Sequence, residues 1–231
     1  MTDILRSIRR PIKHSTDPMD YSVEYSPRET PVQLRDELFA ELEKIYIPAI
    51  PYKNPQLIKT GPDAGKLKEV VERGTVIGRI GNTMNLGFVL TRGHGYNSSK
   101  YSRKFPEVLK KVIAYGNAVV PLGFSYNAIT INKNVQAKRH HDGLNRGKSV
   151  IVGFGPYTEG KLRVYGKQSE EYIAYDIHDR PLMFNGSLLE HETEPFTETR
   201  YTIIFYTQKP GLIIPGYETI GKELSPAQTA A

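Results

Sequence analysis

The side chains best suited to chemistry lie in two short stretches. The first, Gln136-Ala137-Lys138-Arg139-His140-His141-Asp142-Gly143-Leu144-Asn145, contains the pair His140-x-Asp142. The second, residues 184–207, contains His191 and then Arg200-Tyr201-Thr202. Residues two apart on a strand point to one face, so His140 and Asp142 can reach a common point while His141 turns away. His191 joins them if the chain folds back as a β-barrel. Two imidazoles and one carboxylate on one side of a metal are the ligand set of non-haem Fe(II) oxygenases, with the remaining positions open. Arg200 and Thr202 are again two apart and would share a strand face. A guanidinium fork takes a carboxylate bidentately, which suits the distal carboxylate of a bound 2-oxoacid.

Each part alone is a weak signal, since a single His is more often a satisfied surface or core residue. The conjunction is stronger, because the parts occur in order and within strand-patterned stretches. His-x-Asp, His and Arg-x-Thr together are what an Fe(II)/2-oxoglutarate dioxygenase needs, with Fe(II), 2-oxoglutarate and O2 as its chemical complement.

The elements that must position these residues are mostly strands. Strand-like runs are expected at 125–132, 136–141, 149–153, 161–165, 171–176, 181–184, 188–191 and 200–206, punctuated by Gly, Pro, Asn and Asp. Eight such strands suit a double-sheet jelly roll of cupin type. The expected fold class is therefore α+β, mainly β: a double-stranded β-helix core with supporting N-terminal helices. Thr30-Pro31-Val32-Gln33 reads as a helix start, with Thr30 as N-cap and Gln33 closing a capping box. Leu34, Leu38, Phe39, Leu42 and Ile45 follow at helical spacing to about Tyr46. Two strand-like runs follow at 75–80 and 85–92, then a polar loop at 93–100. A second helix is expected from Pro106 to Gly116-Asn117. Residues 1–29 read as an extended or loosely docked basic arm, and 30–231 as one domain whose jelly-roll core spans about 123–209.

Composition narrows the class. The 231 residues suffice for one sizeable core, and the absence of cysteine rules out both a disulfide framework and a thiolate metal site. No stretch approaches the ~20 apolar residues of a membrane span, and the start lacks the apolar run of a secretory signal. The chain is expected to be soluble and intracellular, not membrane-bound, and monomeric by default. A net charge of +6 makes a polyanionic partner reasonable. Lys133, Lys138, Arg139, Arg146 and Lys148 crowd the first stretch and are candidates to hold phosphates; the alternative is a solvated basic face.

The same residues resemble the TET/J-binding-protein branch of Fe(II)/2-oxoglutarate dioxygenases. The likeness is carried by Thr130-Ile131-Asn132-Lys133-Asn134, by His140-His141-Asp142-Gly143-Leu144-Asn145, and by the turn from Gly153 to Leu162. It continues in Phe184-Asn185-Gly186-Ser187, His191 and the run from Arg200 to Tyr206. The resemblance implies that His140, Asp142 and His191 hold the iron. It implies that Arg200 meets the distal 2-oxoglutarate carboxylate with Thr202 beside it, Asn132 being a fainter candidate for the same pocket. Asn145, Arg139 and Arg146 are candidate substrate contacts; Asn145 could equally orient the metal-ligand loop or form an Asx-type turn. Characterised members of the branch oxidise the 5-methyl group of pyrimidines in nucleic acid, so the implied substrate is thymine or 5-methylcytosine, with DNA favoured. Glu159 and Glu198 depart from the branch, standing where glycine is common. The competing readings are a hydroxylase of a protein side chain or small metabolite, and a non-catalytic cupin-like binding module.

Overall fold

The computed structural model describes residues 20–49, 80–91 and 93–223. In chain order the elements are β1 (Glu24–Tyr25), α1 (Val32–Leu42), β2 (Ile80–Thr91), β3 (Gly95–Ser98), α2 (Lys100–Lys104) and α3 (Pro106–Val119). There follow β4 (Ala128–Gln136), β5 (Arg146–Phe154), β6 (Thr158–Glu159), β7 (Leu162–Tyr165) and β8 (Tyr172–Tyr175). The last four are β9 (Leu182–Phe184), β10 (His191–Thr193), β11 (Phe196–Thr197) and β12 (Tyr201–Thr207).

The major sheet has the order β1-β9-β5-β12-β4-β2-β3, and a smaller sheet has the order β10-β7-β8. The segment after β4 adds to the smaller sheet through an antiparallel bridge between His140 and His191. Along the chain, β4, the His140 segment, β5, β7, β8, β9, β10 and β12 therefore pass back and forth between two sheets. The first pairs with the last (β4 with β12), the second with the seventh (His140 with His191), and β5 with β9. This is the double-stranded β-helix, the jelly-roll answer to the problem of unpaired edges.

Alternation along β12 shows why the layers form. Tyr201, Ile203 and Phe205 pack with Leu38 and Leu42 of α1 and with Val108, Val112 and Ile113 of α3 in one core. Thr202 and Ile204 project to the opposite face, where Ile151, Leu162, Val164, Leu182, Phe184 and Leu189 fill the space between the sheets. A strand buried on both faces reads as a continuous apolar run, and Tyr201-Thr202-Ile203-Ile204-Phe205 is one.

Several boundaries differ from the expectation. Helix α1 begins at Val32 and ends at Leu42, short of Tyr46, and Thr30 does not cap it. The Thr30 hydroxyl instead donates to the Asp179 carbonyl at 2.7 Å, and Gln33 Nε2 donates to Glu37 Oε1 at 3.2 Å. The hydroxyl is used as a donor to a tertiary carbonyl and accepts from no backbone N–H of the first turn. Helix α3 runs on to Val119, and Gly116 within it packs closely against Phe205 and Tyr126, where a Cβ would not fit. The expected strand at 136–141 is not a strand: β4 takes Gln136, and beyond it the chain crosses between the sheets, meeting β10 at Ala137, whose carbonyl accepts from Thr193 N–H at 2.9 Å, and at His140. The expected strand at 188–191 begins at His191, since Leu188 and Leu189 turn back to donate to Asn185 O. Half of the polar loop at 93–100 is strand β3, paired with β2. The expected strand at 75–79 lies outside the described residues, and β2 begins at Ile80.

At the N-terminal end, Glu24 and Tyr25 pair with Met183 and Leu182 as the outermost strand of the major sheet. Ser26 Oγ donates to Val119 O at 2.7 Å, so this segment docks on the domain. No helix among the described residues is long and apolar enough to cross a membrane.

Candidate metal centre

The two stretches singled out in the sequence are stitched together by backbone hydrogen bonds. His140 and His191 exchange N–H···O bonds of 3.0 Å each way, and the Asp142 N–H donates to Gly186 O at 2.8 Å. Geometry thus fixes the side chains as a set. Among the described residues, His140, Asp142 and His191 form the one group of three possible metal-ligating side chains, with ligand atoms all within 4.8 Å of one another. Asp142 Oδ1 lies 3.8 Å from His140 Nε2 and 3.9 Å from His191 Nε2, too far for hydrogen bonds. The ring centroids are 4.3 Å apart.

The other atom of each group is already occupied. His140 Nδ1 lies 2.7 Å from Lys138 O, and His191 Nδ1 lies 3.1 Å from Leu189 O. A carbonyl only accepts, so each Nδ1 carries a proton, which leaves Nε2 of the neutral ring to present its lone pair inward. Orienting imidazole ligands through the far nitrogen is how proteins prepare metal sites. Asp142 Oδ2 accepts from Asn145 Nδ2 at 2.9 Å, and the same amide donates to Ser149 Oγ at 2.9 Å. The carboxylate therefore turns Oδ1 toward the two Nε2 atoms. Gly186 makes room for it: a Cβ there would sit 2.6 Å from Asp142 Oδ2 and 3.1 Å from His191 Cε1. Two imidazole nitrogens and one carboxylate oxygen, converging within 4.8 Å of one another, suit a divalent iron.

Strand β12 carries the second cluster. Thr202 stands opposite Asn132 of β4, and Asn132 Nδ2 donates to Thr202 Oγ1 at 3.3 Å while its Oδ1 accepts from Thr83 Oγ1 at 2.8 Å. Arg200 precedes β12 on the same face and is only 2 % exposed. One guanidinium nitrogen donates to Gly160 O at 3.1 Å, and among the described residues no carboxylate lies within ion-pair distance. Burial disfavours its charged form and lowers its pKa. A buried guanidinium without an acid suits an anionic ligand that arrives from outside.

The candidate substrate contacts are placed differently. Asn145 donates to both Asp142 Oδ2 and Ser149 Oγ, so it orients the loop that carries Asp142. Arg139 sits between Glu190 (2.6 Å) and Glu170 (2.6 Å), with its guanidinium 3.8 Å from the centre of the Tyr165 ring. Lys148 pairs with Asp20 and Glu24, and Lys133 with Glu43. Arg146, at the start of β5, and Lys138 are exposed. Glu159 and Glu198 are exposed too, and both hold a left-handed backbone, with φ of 63° and 61°. Glycine takes that conformation at little cost, whereas a residue with a Cβ is strained there.

Sequence reasoning did not single out Gly186, Ser149 or the two carbonyls of Lys138 and Leu189 as parts of the site. Only Gly186 had a signal, a glycine following Asn185 just before the second His.

No protein family model matches the chain, and no curated protein matches it. Solved structures similar to it include one described as OsALKBH1, with a TM-score of 0.46 and 11% identity over 82% of this chain and 99% of that one. A Pseudomonas putida prolyl-4-hydroxylase gives a TM-score of 0.44 and 13% identity over 82% and 94%. NgTET1 in complex with 5mC DNA gives 0.40 and 13% over 55% and 61%. At these identities the likeness concerns the course of the chain alone.

Proposed function

We propose that the chain is an Fe(II)- and 2-oxoglutarate-dependent dioxygenase that hydroxylates a C–H bond. The observation that carries this reading is the convergence of His140 Nε2, His191 Nε2 and Asp142 Oδ1, with each remote atom anchored elsewhere. In this reading His140, Asp142 and His191 hold the iron, which when bound supplies activation of dioxygen and a two-electron oxidation. The net reaction converts substrate C–H, 2-oxoglutarate and O2 to C–OH, succinate and CO2, one oxygen atom entering each organic product. Arg200 anchors the distal carboxylate of 2-oxoglutarate, and the Asn132–Thr202 pair lines the floor between anchor and metal. Phe184 packs edge-on to the His191 ring at 5.0 Å, and with Leu189 and Ile204 it keeps bulk water from that side.

The substrate we favour is the 5-methyl group of thymine or 5-methylcytosine in DNA. This rests on the resemblance of His140–Asn145 and Arg200–Tyr206 to the TET/J-binding-protein branch, and on the net charge of +6. A base in a duplex is out of reach, so it would be flipped out or taken from a single strand. One observation favours a second reading, a protein side chain or small metabolite. Of the five cations near the ligand loop, Arg139, Lys133 and Lys148 are already paired with carboxylates.

Anaerobic reconstitution with Fe(II), followed by 2-oxoglutarate, oxygen and DNA bearing thymine or 5-methylcytosine, tests both layers. Nucleoside mass spectrometry should show a 5-hydroxymethyl pyrimidine, with succinate measured alongside. Succinate without a changed base moves the substrate to RNA, protein or metabolites. No succinate from metal-loaded protein overturns the dioxygenase reading in favour of a non-catalytic barrel.

A further inference from the structure

Cations near the ligand loop are held by carboxylates, but a second group of cations, elsewhere on the fold, is not. No Asp or Glu occurs from residue 73 to residue 106, a run that holds Arg73, Arg79, Arg92, Lys100, Arg103 and Lys104. None occurs from residue 199 to residue 217 either. The fold brings these two acid-free runs together. Lys209 Nζ lies 5.7 Å from the centre of the Tyr96 ring on β3, and the Tyr96 hydroxyl donates to Gln208 O at 3.4 Å. Directly after β3, helix α2 carries Lys100, Arg103 and Lys104. These three and Lys209 are exposed, and among the described residues none of the four pairs with a carboxylate.

The charged heads are held in place by neutral partners. Lys100 Nζ lies 4.9 Å from the Tyr101 ring centre and Lys104 Nζ 5.0 Å from that of Phe105, the two rings being stacked 6.3 Å apart. Arg103 donates to Ser98 O at 3.1 Å. The short helix is itself pinned to β2, since Ser102 Oγ accepts from the Gly87 N–H at 2.9 Å. Cations ordered in advance lose less entropy when an anion binds, and several of one sign attract a polyanion. The exposed residues of 93–104 are glycines, His94, Asn97 and the three cations, with no apolar side chain to enter a bilayer. A chain of phosphates fits that chemistry better than a lipid surface does. The surface also stands apart from the metal centre. Strand β2 pairs Ile80 with Gln136, at the end of β4 that leads to His140, and Gly87 with Ala128 at the other end, about 26 Å along the strand.

We propose that α2, β3 and Lys209 form a binding surface for the phosphate backbone of a nucleic acid, remote from the metal centre. Neither the metal nor a 2-oxoacid enters the proposal, so it stands or falls separately from the dioxygenase reading. Fluorescence anisotropy of a labelled DNA duplex with the full chain, over a series of salt concentrations, tests it. Replacing Lys100, Arg103 and Lys104 together by Gln should weaken binding about tenfold or more and lower the slope of log affinity against log salt by about 2–3. The loss should be the same for duplexes of different sequence, because phosphates carry none, and the same with Mn(II) or with a chelator. Thermal melting and Mn(II) affinity, both unchanged, show that the variant folds with its metal centre intact. A duplex that the unsubstituted protein does not bind, or a variant that keeps the original slope, overturns the proposal. So does a loss of binding caused by Lys138→Gln and not by the triple variant, which would move the contacts to the ligand loop. Binding to phosphatidylserine vesicles in place of DNA, lost in the triple variant, would overturn it in favour of a membrane surface.

Discussion

Gly186→Ala isolates the metal centre from the rest of the fold. The backbone at Gly186 is not in the left-handed region, so alanine meets no conformational penalty there. The cost is contact: the new Cβ would lie 2.6 Å from Asp142 Oδ2 and 3.1 Å from His191 Cε1. Relief to an ordinary separation of about 3.4 Å requires the carboxylate to move by roughly 0.8 Å. The Gly186 backbone cannot yield freely, because its carbonyl accepts the Asp142 N–H at 2.8 Å. The carboxylate cannot swing without loss either, since Asn145 Nδ2 holds the same Oδ2 at 2.9 Å. Overpacking of this kind costs roughly 1–3 kcal/mol of stability. Displacing a ligand's supporting shell typically costs about 10–100-fold in metal affinity. The assay is titration of Mn(II) or Co(II) into metal-free protein by calorimetry, with thermal melting in parallel. We expect a folded protein with at least tenfold weaker metal binding. Metal affinity equal to that of the unsubstituted protein would refute the idea that Asp142 is a ligand held in a fixed pose.

Asp142→Ala and His140→Ala should abolish metal binding and succinate formation while the far-ultraviolet circular dichroism stays the same. His141→Ala, at a side chain 48% exposed, should keep most of both. Asn145→Ala should leave the three ligands in place but free the carboxylate to rotate, weakening metal binding about tenfold, as titration would show. Glu159→Gly and Glu198→Gly should each raise stability by about 0.5–1 kcal/mol, because they remove the left-handed cost of a residue with a Cβ. At this chain length that appears as a rise of about 1–4 °C in the melting midpoint.

The convergence of the three candidate ligands is legible because its logic is local: His140 and Asp142 are two apart, and His191 opens a strand that returns to them. The strand assigned to 136–141 was not there, yet the inference about faces survived, since His140 is extended through its one bridge to His191. The hydrophobic alternation of β12 also carried through to the packed layers. What could not be read were partners set by the tertiary fold. Thr30 has a capping sequence, but Asp179 reaches its hydroxyl first. Lys148 reads as a phosphate-binding cation until Asp20 and Glu24 are folded against it.

Strand β1 is two residues long, but its position gives it a kinetic and colloidal part to play. It covers the outer edge of β9, whose unpaired N–H and C=O groups would otherwise template another chain. During synthesis Glu24 and Tyr25 emerge early, whereas Met183 and Leu182 emerge only after most of the barrel is made, so this closure is a late, long-range event. Until it happens, the nascent barrel has a sticky rim, and a protein shortened to begin at residue 30 would keep that rim for good. Self-association, more than loss of catalysis, is then the cost of trimming the start of this chain.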